Sequence, residues 1–236
     1  KYRNKSINSI FTITVAFCRS RLPPYKITIF VCQTSRALFT ANNLSQNITI
    51  KRKKNIRNLL SEVSSKFYKI KPKNIIAVTG TNGKTSVADI FYQIFQLNNI
   101  SAATIGTLGI KYDGKIIKTK LTSPDAITLH KNLFLLKKKK IDNVIIETSS
   151  HGLTQNRLHH INFKGAVFTN FSQDHLDYHK TMNSYLNAKM ILFRENLNKK
   201  TTIISDKELK QFNLIKKIAK RKNLKLLDIS NEYKNL

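Results

Sequence analysis

The sequence predicts an α/β fold: a mainly parallel sheet flanked by helices and carrying a phosphate-binding P-loop, preceded by a partial N-terminal segment. Two observations carry this. Short apolar, β-branched runs alternate with amphipathic stretches of about 10–15 residues, the pattern of βαβ units. A glycine-containing turn, Thr79-Gly-Thr-Asn-Gly-Lys-Thr-Ser86, follows one such run and leads straight into a helical pattern.

The elements follow in order. Two β-like runs, Ile10 to Phe17 and Ile27 to Cys32, are separated by Pro23-Pro24. Ile56, Leu59, Leu60, Val63 and Phe67 recur at helical spacing, and Pro72 closes that helix. Residues 74–79 read as a buried strand. Val87, Ile90, Phe91, Ile94 and Phe95 mark the next helix. Residues 101–110 read as a strand broken by Gly106 and Gly109. Then come a helix over 126–140, a strand over 143–147 and a strand over 166–169. A helix over 182–195, a strand over 201–205, a helix over 208–220 and a strand over 224–229 complete the pattern. No internal repeat is present.

The chain has 236 residues, 41% of them apolar, enough for a core and too apolar for a wholly disordered chain. No apolar run reaches the ~18 residues a membrane-spanning helix needs, so no membrane insertion is expected. Cys18 and Cys32 are the only cysteines, too few for a disulfide framework or a cysteine-rich zinc site, and suit a reducing compartment. A basic start and short apolar run resemble a secretory signal, but no convincing cleavage site follows. The net charge is +29, from 42 Lys+Arg against 13 Asp+Glu. It is uneven: residues 1–73 hold sixteen basic residues, one acid (Glu62) and no glycine. Lysine outnumbers arginine and spreads along the chain with abundant Ile and Asn, a compositional background rather than one reading face. No specific nucleic-acid partner is expected.

The phosphate turn has a direct physical reading. Glycines let the backbone curl so that several N–H groups face one anion, and the helix N-terminus adds its positive end. Lys84 can reach β- and γ-phosphates, and the Thr85 hydroxyl can serve Mg²⁺. Val78 stands where the longer P-loop has a glycine, so this loop is a shorter variant. Glu147 ends a neighbouring strand, where a metal needs an oxygen ligand and where ligands of parallel sheets bind. A polar loop, Thr148 to Arg157, follows it. A further strand end carries Asp174, His175 and Asp177, a group that by spacing alone fits zinc, a general base or a polar loop.

These strings resemble the Mur ligases, the ATP-dependent amide-forming enzymes of peptidoglycan precursor synthesis, and within them the tripeptide synthetase (MurE) type. T-G-T-N-G-K-T matches the family's shortened loop. The supporting strings are L-T-S-P-D at 121–125, E-T-S-S-H-G-L at 147–153, Gln155 with Arg157, T-N-F-S-Q-D-H-L-D-Y-H at 169–179, and Y-L-N-A-K at 185–189. The resemblance covers residues 50–205 well and the first fifty poorly. It implies addition of a diamino acid, expected to be meso-diaminopimelate, to UDP-N-acetylmuramoyl-L-alanyl-D-glutamate through an acyl phosphate, with ATP and Mg²⁺, in a cytoplasmic monomer.

The resemblance also assigns residues. Gly80, Thr81, Asn82, Gly83, Lys84, Thr85 and Ser86 would cradle ATP. Lys84, Glu147, His175 and Lys189 would be catalytic. Thr85, Glu147, His175 and Lys189, the last as a carbamate, would hold metal. Thr122, Ser123, Ser149, Gln155 and Arg157 would contact the UDP-N-acetylmuramoyl-dipeptide. Ser123 stands for the family's usual Thr, and Thr148 for its usual Val. The resemblance divides the chain into a partial or degenerate UDP-sugar segment (1–72) and an incomplete ATP-binding domain (73–236), with the amino-acid-binding domain absent. Such a chain, beginning at Lys1, is expected to be incomplete, to bind nucleotide weakly and to turn over little or not at all. Two other readings stay open: a folylpolyglutamate-synthetase-like ligase, and a non-catalytic basic protein that binds nucleic acid.

Overall fold

In a computed structural model, residues 27–32, 48–53, 55–119 and 121–231 are described. The chain divides into two compact units, Lys1–Ile56 and Arg57–Leu236. In the first, β1 (Ile27–Cys32) pairs in parallel with β2 (Ile48–Lys53), Ile27 opposite Ile48. The expected run at 10–17 lies outside the described residues.

The second unit opens with α1 (Ile56–Phe67), which ends five residues before Pro72. Then come β3 (Asn74–Thr79), α2 (Lys84–Leu97), β4 (Ala102–Gly106), β5 (Gly109–Tyr112) and β6 (Lys115–Ile117). Next are α3 (Ala126–Lys138), β7 (Asn143–Glu147), α4 (Ser150–Thr154), β8 (Gly165–Phe168), α5 (Leu176–His179) and α6 (Met182–Ile191). Last come β9 (Thr202–Ser205), α7 (Phe212–Lys222) and β10 (Lys225–Asp228).

Eight strands form one sheet in the order β10-β9-β8-β3-β7-β4-β5-β6. The six from β10 to β4 are parallel, and β5 and β6 add an antiparallel edge. After β3 the chain goes to the β4 side and returns through β7, then crosses to β8 on the other flank. The carboxyl ends of β3, β7 and β8 therefore meet where the winding changes direction, the place such sheets reserve for ligands. Period-two alternation splits the central strands between the two faces. Ile75 and Ala77 join Val144 and Ile146 in the main core, which also holds Leu129 and Leu133 of α3. Val78 and Ile145 pack with Ala88 of α2 in a smaller cluster.

The structure corrects several expected boundaries. The run 101–110 is two antiparallel strands, because Gly109 (φ 101°) allows the chain to reverse after Thr107-Leu108. The helix expected over 182–195 is α up to Ile191 and then a π turn, Leu192–Asn196. Its wider turn buries Leu192, Phe193 and Asn196 together. The helix expected from 208 begins at Phe212, after the Asp206 side chain accepts the Glu208 amide and holds a turn. Short helices α4 and α5 replace expected loops. Strands β2 and β6 carry too little periodicity to be read ahead. β6 is an edge of three exposed residues, including Ile116 and Ile117.

α1 is tied down by a buried polar contact. Ser61 donates to the His159 carbonyl at 2.6 Å, so its oxygen must accept from His130 Nε2 at 3.3 Å. His130 is fully buried, and its Nδ1 has no hydrogen-bond partner among the described residues. Burial first, and then Lys71, push its pKa down from 6.5 to about 4.

Truncating fully buried Leu133 to Ala is expected to cost about 2–5 kcal/mol in urea unfolding. His130 is neutral in the fold and charges more readily when unfolded. Its contribution to stability is thus complete above pH 6.5 and is lost as pH falls towards 4, on the order of 3 kcal/mol. His130→Gln is expected to flatten that part of the stability–pH curve; an unchanged slope would refute the assignment.

Candidate functional site

The phosphate turn begins only after Thr79, because Val78 is still a strand residue paired on both sides, opposite Glu147 in β7 and Val167 in β8. That is why the loop is short. Gly80 (φ 150°) and Gly83 (φ 80°) take conformations that favour glycine, and a Cβ on Gly80 would collide with Thr169 Oγ1. Gly83 caps α2 without a side-chain hydrogen bond, and the first helical bond runs from Val87 N to Gly83 O. The amides of Lys84, Thr85 and Ser86 therefore have no partner within the helix. Lys84 Nζ donates to the carbonyls of Gly80 (3.0 Å) and Thr81 (2.6 Å). Burial lowers its pKa, and Glu147 and Asp174 work against the shift.

Glu147 is buried, and its carboxylate is held from two directions. Thr85 Oγ1 donates to Oε2 at 2.9 Å. Thr107, after β4, donates its amide to Oε1 and its hydroxyl to Oε2, both at 3.0 Å. With that proton committed, Thr122 must donate to Thr107 Oγ1 across 3.1 Å. Gly106 makes the arrangement possible, since a Cβ there would overlap the Glu147 carboxylate.

Ser123 is buried beneath the loop after β7. Its hydroxyl donates to the Glu147 carbonyl at 2.9 Å and accepts from Ser149 N and Ser149 Oγ. Ser149 in turn accepts from Gly152 N and so caps α4. Arg157 donates to the Ser123 carbonyl at 2.7 Å and pairs with Gln155 Oε1 through Nε and Nη2.

Lys189, on α6, is almost fully buried, with Nζ 2.6 Å from the Gly80 carbonyl and 4.3 Å from the centre of the Tyr185 ring. Burial, reinforced by the neighbouring Lys84 charge, lowers its pKa to about 7, with Asp174 opposing. Tyr185 reaches Thr81 Oγ1 at 3.4 Å. His175 (φ 51°) stands at the start of α5, 3.4 Å from Asp174 and edge-on to Tyr185 and His151. His179 Nε2 lies 2.9 Å from Ser150 Oγ, and its ring rests against Tyr185.

A cleft of about 250 Å³ joins these groups, lined by residues 81–86 with Thr107, Thr122, Ser149, Ser150, His175, Tyr185 and Lys189. Of the sequence-predicted residues, Thr81 to Ser86, Thr122, Ser149, His175 and Lys189 face it. Glu147 and Ser123 stand just behind, and Gln155 and Arg157 form a separate pair beside Ser123. Thr107, Tyr185 and the Thr169–Ser172 segment were not singled out from sequence as site residues. For Thr107 and the Thr169–Ser172 segment the position just after a strand was the available signal; Tyr185 lies inside α6 and carries no such signal.

The donor set fits Mg²⁺. Among the described residues, no three His, Cys, Asp or Glu side chains gather as a metal-holding group. Mg²⁺ is bound by one or two carboxylates together with substrate phosphates, and Glu147 beside the Thr85 hydroxyl, next to a turn whose following amides have no partner within the helix, is that kind of set.

The family model for the Mur ligase middle domain matches residues 78–236. The chain is 41% identical over 176 residues to a Rickettsia bellii (strain RML369-C) protein named UDP-N-acetylmuramoyl-L-alanyl-D-glutamate--2,6-diaminopimelate ligase, covering 73% of this chain and 37% of that one. It is 44% identical over 167 residues to the protein of the same name from Wigglesworthia glossinidia brevipalpis, covering 70% and 33%. It thus spans 33–37% of the length of these curated relatives. A solved structure of a ligase of that name superposes with a TM-score of 0.66 at 29% identity, over 76% of this chain and 37% of that one. E. coli FolC, solved with DHPP and ADP, gives 0.54 at 17%, over 72% and 45%, a likeness of fold.

Gly106→Ala is expected to drive the Glu147 carboxylate off Thr85 and Thr107 and to lower stability by about 1–3 kcal/mol, the penalty of unmade buried hydrogen bonds. Chemical denaturation measures it, and a shift below about 0.5 kcal/mol would show that the carboxylate has room to move.

Proposed function

The chain belongs to the Mur ligase family, and on that premise we propose that it is the ATP-handling part of a ligase that adds a diamino acid, meso-diaminopimelate, to UDP-N-acetylmuramoyl-L-alanyl-D-glutamate. The observation that carries this reading is the meeting of three things at one sheet edge: the phosphate turn, the Thr85–Glu147 pair and the Ser149–Arg157 loop. Relatives bearing that ligase name reach 41–44% identity, whereas the FolC likeness at 17% speaks only for the fold.

In this reading the amides at the start of α2 and the Lys84 ammonium hold the ATP phosphates. Thr85 and Glu147 would hold Mg²⁺, with His175 at the cleft wall as a further ligand. The metal, when bound, supplies counter-charge for phosphoryl oxygens during transfer to the substrate carboxylate. Lys189 is proposed to act as a carbamate: its Nζ lies beside Lys84 in a buried cleft, where an anion is better accommodated than a second cation. Thr122, Ser149, Gln155 and Arg157 are proposed to grip the UDP-N-acetylmuramoyl-dipeptide, and Ser123 to set Ser149. Arg157, already fixed on the Ser123 carbonyl and Gln155, keeps further N–H donors for a carboxylate. No helix among the described residues is long and apolar enough to cross a membrane, and the proposed substrates place the enzyme in the cytoplasm.

Calorimetry with Mg-ATP is expected to show binding that Lys84→Ala weakens about 10- to 100-fold, the range of a charged hydrogen bond. UDP-N-acetylmuramoyl-L-alanyl-D-glutamate is expected to bind and dihydrofolate not to. The opposite preference would move the chain to a folate-type ligase, and no nucleotide uptake by well-folded wild type would end the enzymatic reading. Incubation with ¹³C-bicarbonate is expected to give a carbamate carbon signal that Lys189→Ala removes; a signal surviving that change would assign it elsewhere.

A further inference from the structure

The segment after β8 runs along the phosphate turn and bonds to it at nearly every step. Thr169 N donates to Thr79 O at 2.9 Å, and Thr81 N donates to Asn170 O at 3.0 Å. The β3–β8 pairing is thus carried past the strand ends by main-chain bonds. Side chains then take over. Asn82 N donates to Asn170 Oδ1 at 2.9 Å, and Thr169 Oγ1 donates to Asn82 O at 2.6 Å. Ser172 N donates to Thr81 Oγ1 at 3.1 Å. Because an amide N–H can be accepted only by oxygen, the Asn82 bond also fixes which way the Asn170 amide faces.

The two amides just after Gly80 are therefore already committed. Those of Lys84, Thr85 and Ser86 have no partner within α2, and Gly83 provides no side-chain cap. We propose that Asn170 is a positioning residue for the phosphate turn: its main chain and side chain take the Thr81 and Asn82 amides, hold the shortened loop open in one curl, and direct anion binding to the amides that follow Gly83. A longer P-loop gains its curl from an extra glycine. Here that position is Val78, locked in the sheet, and a brace from the neighbouring strand end supplies the shape. The proposal rests on the nucleotide reading above for what the anion is, while the brace itself is a property of the fold.

The test uses the 236-residue chain with Asn170→Ala and Asn170→Asp. Asn170→Ala is expected to speed hydrogen exchange at the Asn82 amide while the Val78 and Val87 amides keep their protection. The same change is expected to weaken Mg-ATP binding about tenfold, the weight of one hydrogen bond. Asn170→Asp retains an acceptor, so it is expected to restore Asn82 protection; its added charge beside the phosphates keeps affinity low. Uniform loss of protection across β3 and α2 in Asn170→Ala would mark a merely structural role and overturn the proposal. So would unchanged Asn82 exchange, or wild-type Mg-ATP affinity in that variant. Should Asn170→Ala fail to fold, unprotected Asn82 in Asn170→Asp overturns it. If wild type takes up no Mg-ATP, the nucleotide reading fails instead, and Asn82 exchange alone decides the brace.

Discussion

The site depends on one register. β3 and β7 run in parallel with Val78 opposite Glu147, so the carboxylate emerges level with Val78, two residues before the turn starts at Gly80. A slip of one residue would send Glu147 to the other face of the sheet. That register is held by the buried apolar pairs Ile75–Val144 and Ala77–Ile146 and by the half-buried Ile76 against Ile145. The core therefore sets the distance between the catalytic carboxylate proposed here and the loop it serves.

Around that register the cleft is a problem in burying charge. Lys84 and Lys189 share the Gly80 carbonyl, and each is pushed towards its neutral form by burial. Carbonyl dipoles, the Tyr185 ring and Glu147 offset part of the cost. The Lys84 ammonium and the amides at the start of α2 make a small polar cleft that demands a polyanion, which is the physical content of the nucleotide reading. Lys189, drawn towards its neutral form, is the amine open to carbamate formation. The histidine group beside it behaves the same way: burial comes first and mutual repulsion second in lowering the pKa of His151 and of His179.

Much of this was readable in the sequence, for definite reasons. β3 and β7 are buried on both faces, so they appear as unbroken apolar runs ending in Thr79 and Glu147, and their ends match the structure residue for residue. The curl of the phosphate turn is written in Gly80 and Gly83. What stayed hidden was anything decided between distant segments. Thr107 looks like a turn residue until the sheet brings it against Glu147, 40 positions away. Ser123 reads as a ligand contact by motif, yet the fold turns its hydroxyl inward. The helix α4 exists because Ser149 caps it, and a serine among four polar residues gives no periodic signal.

The antiparallel rim of the sheet gives the chain's excess of lysine a second meaning. β6 ends the sheet with three residues, two of them exposed isoleucines, between Lys115 and the exposed Lys118. A longer uncharged ribbon in that place would offer a template for a strand from another molecule. A stub flanked by ammonium groups repels its own copies and offers too few backbone groups to zip onto. Lysines at such an edge work against pairing with another chain.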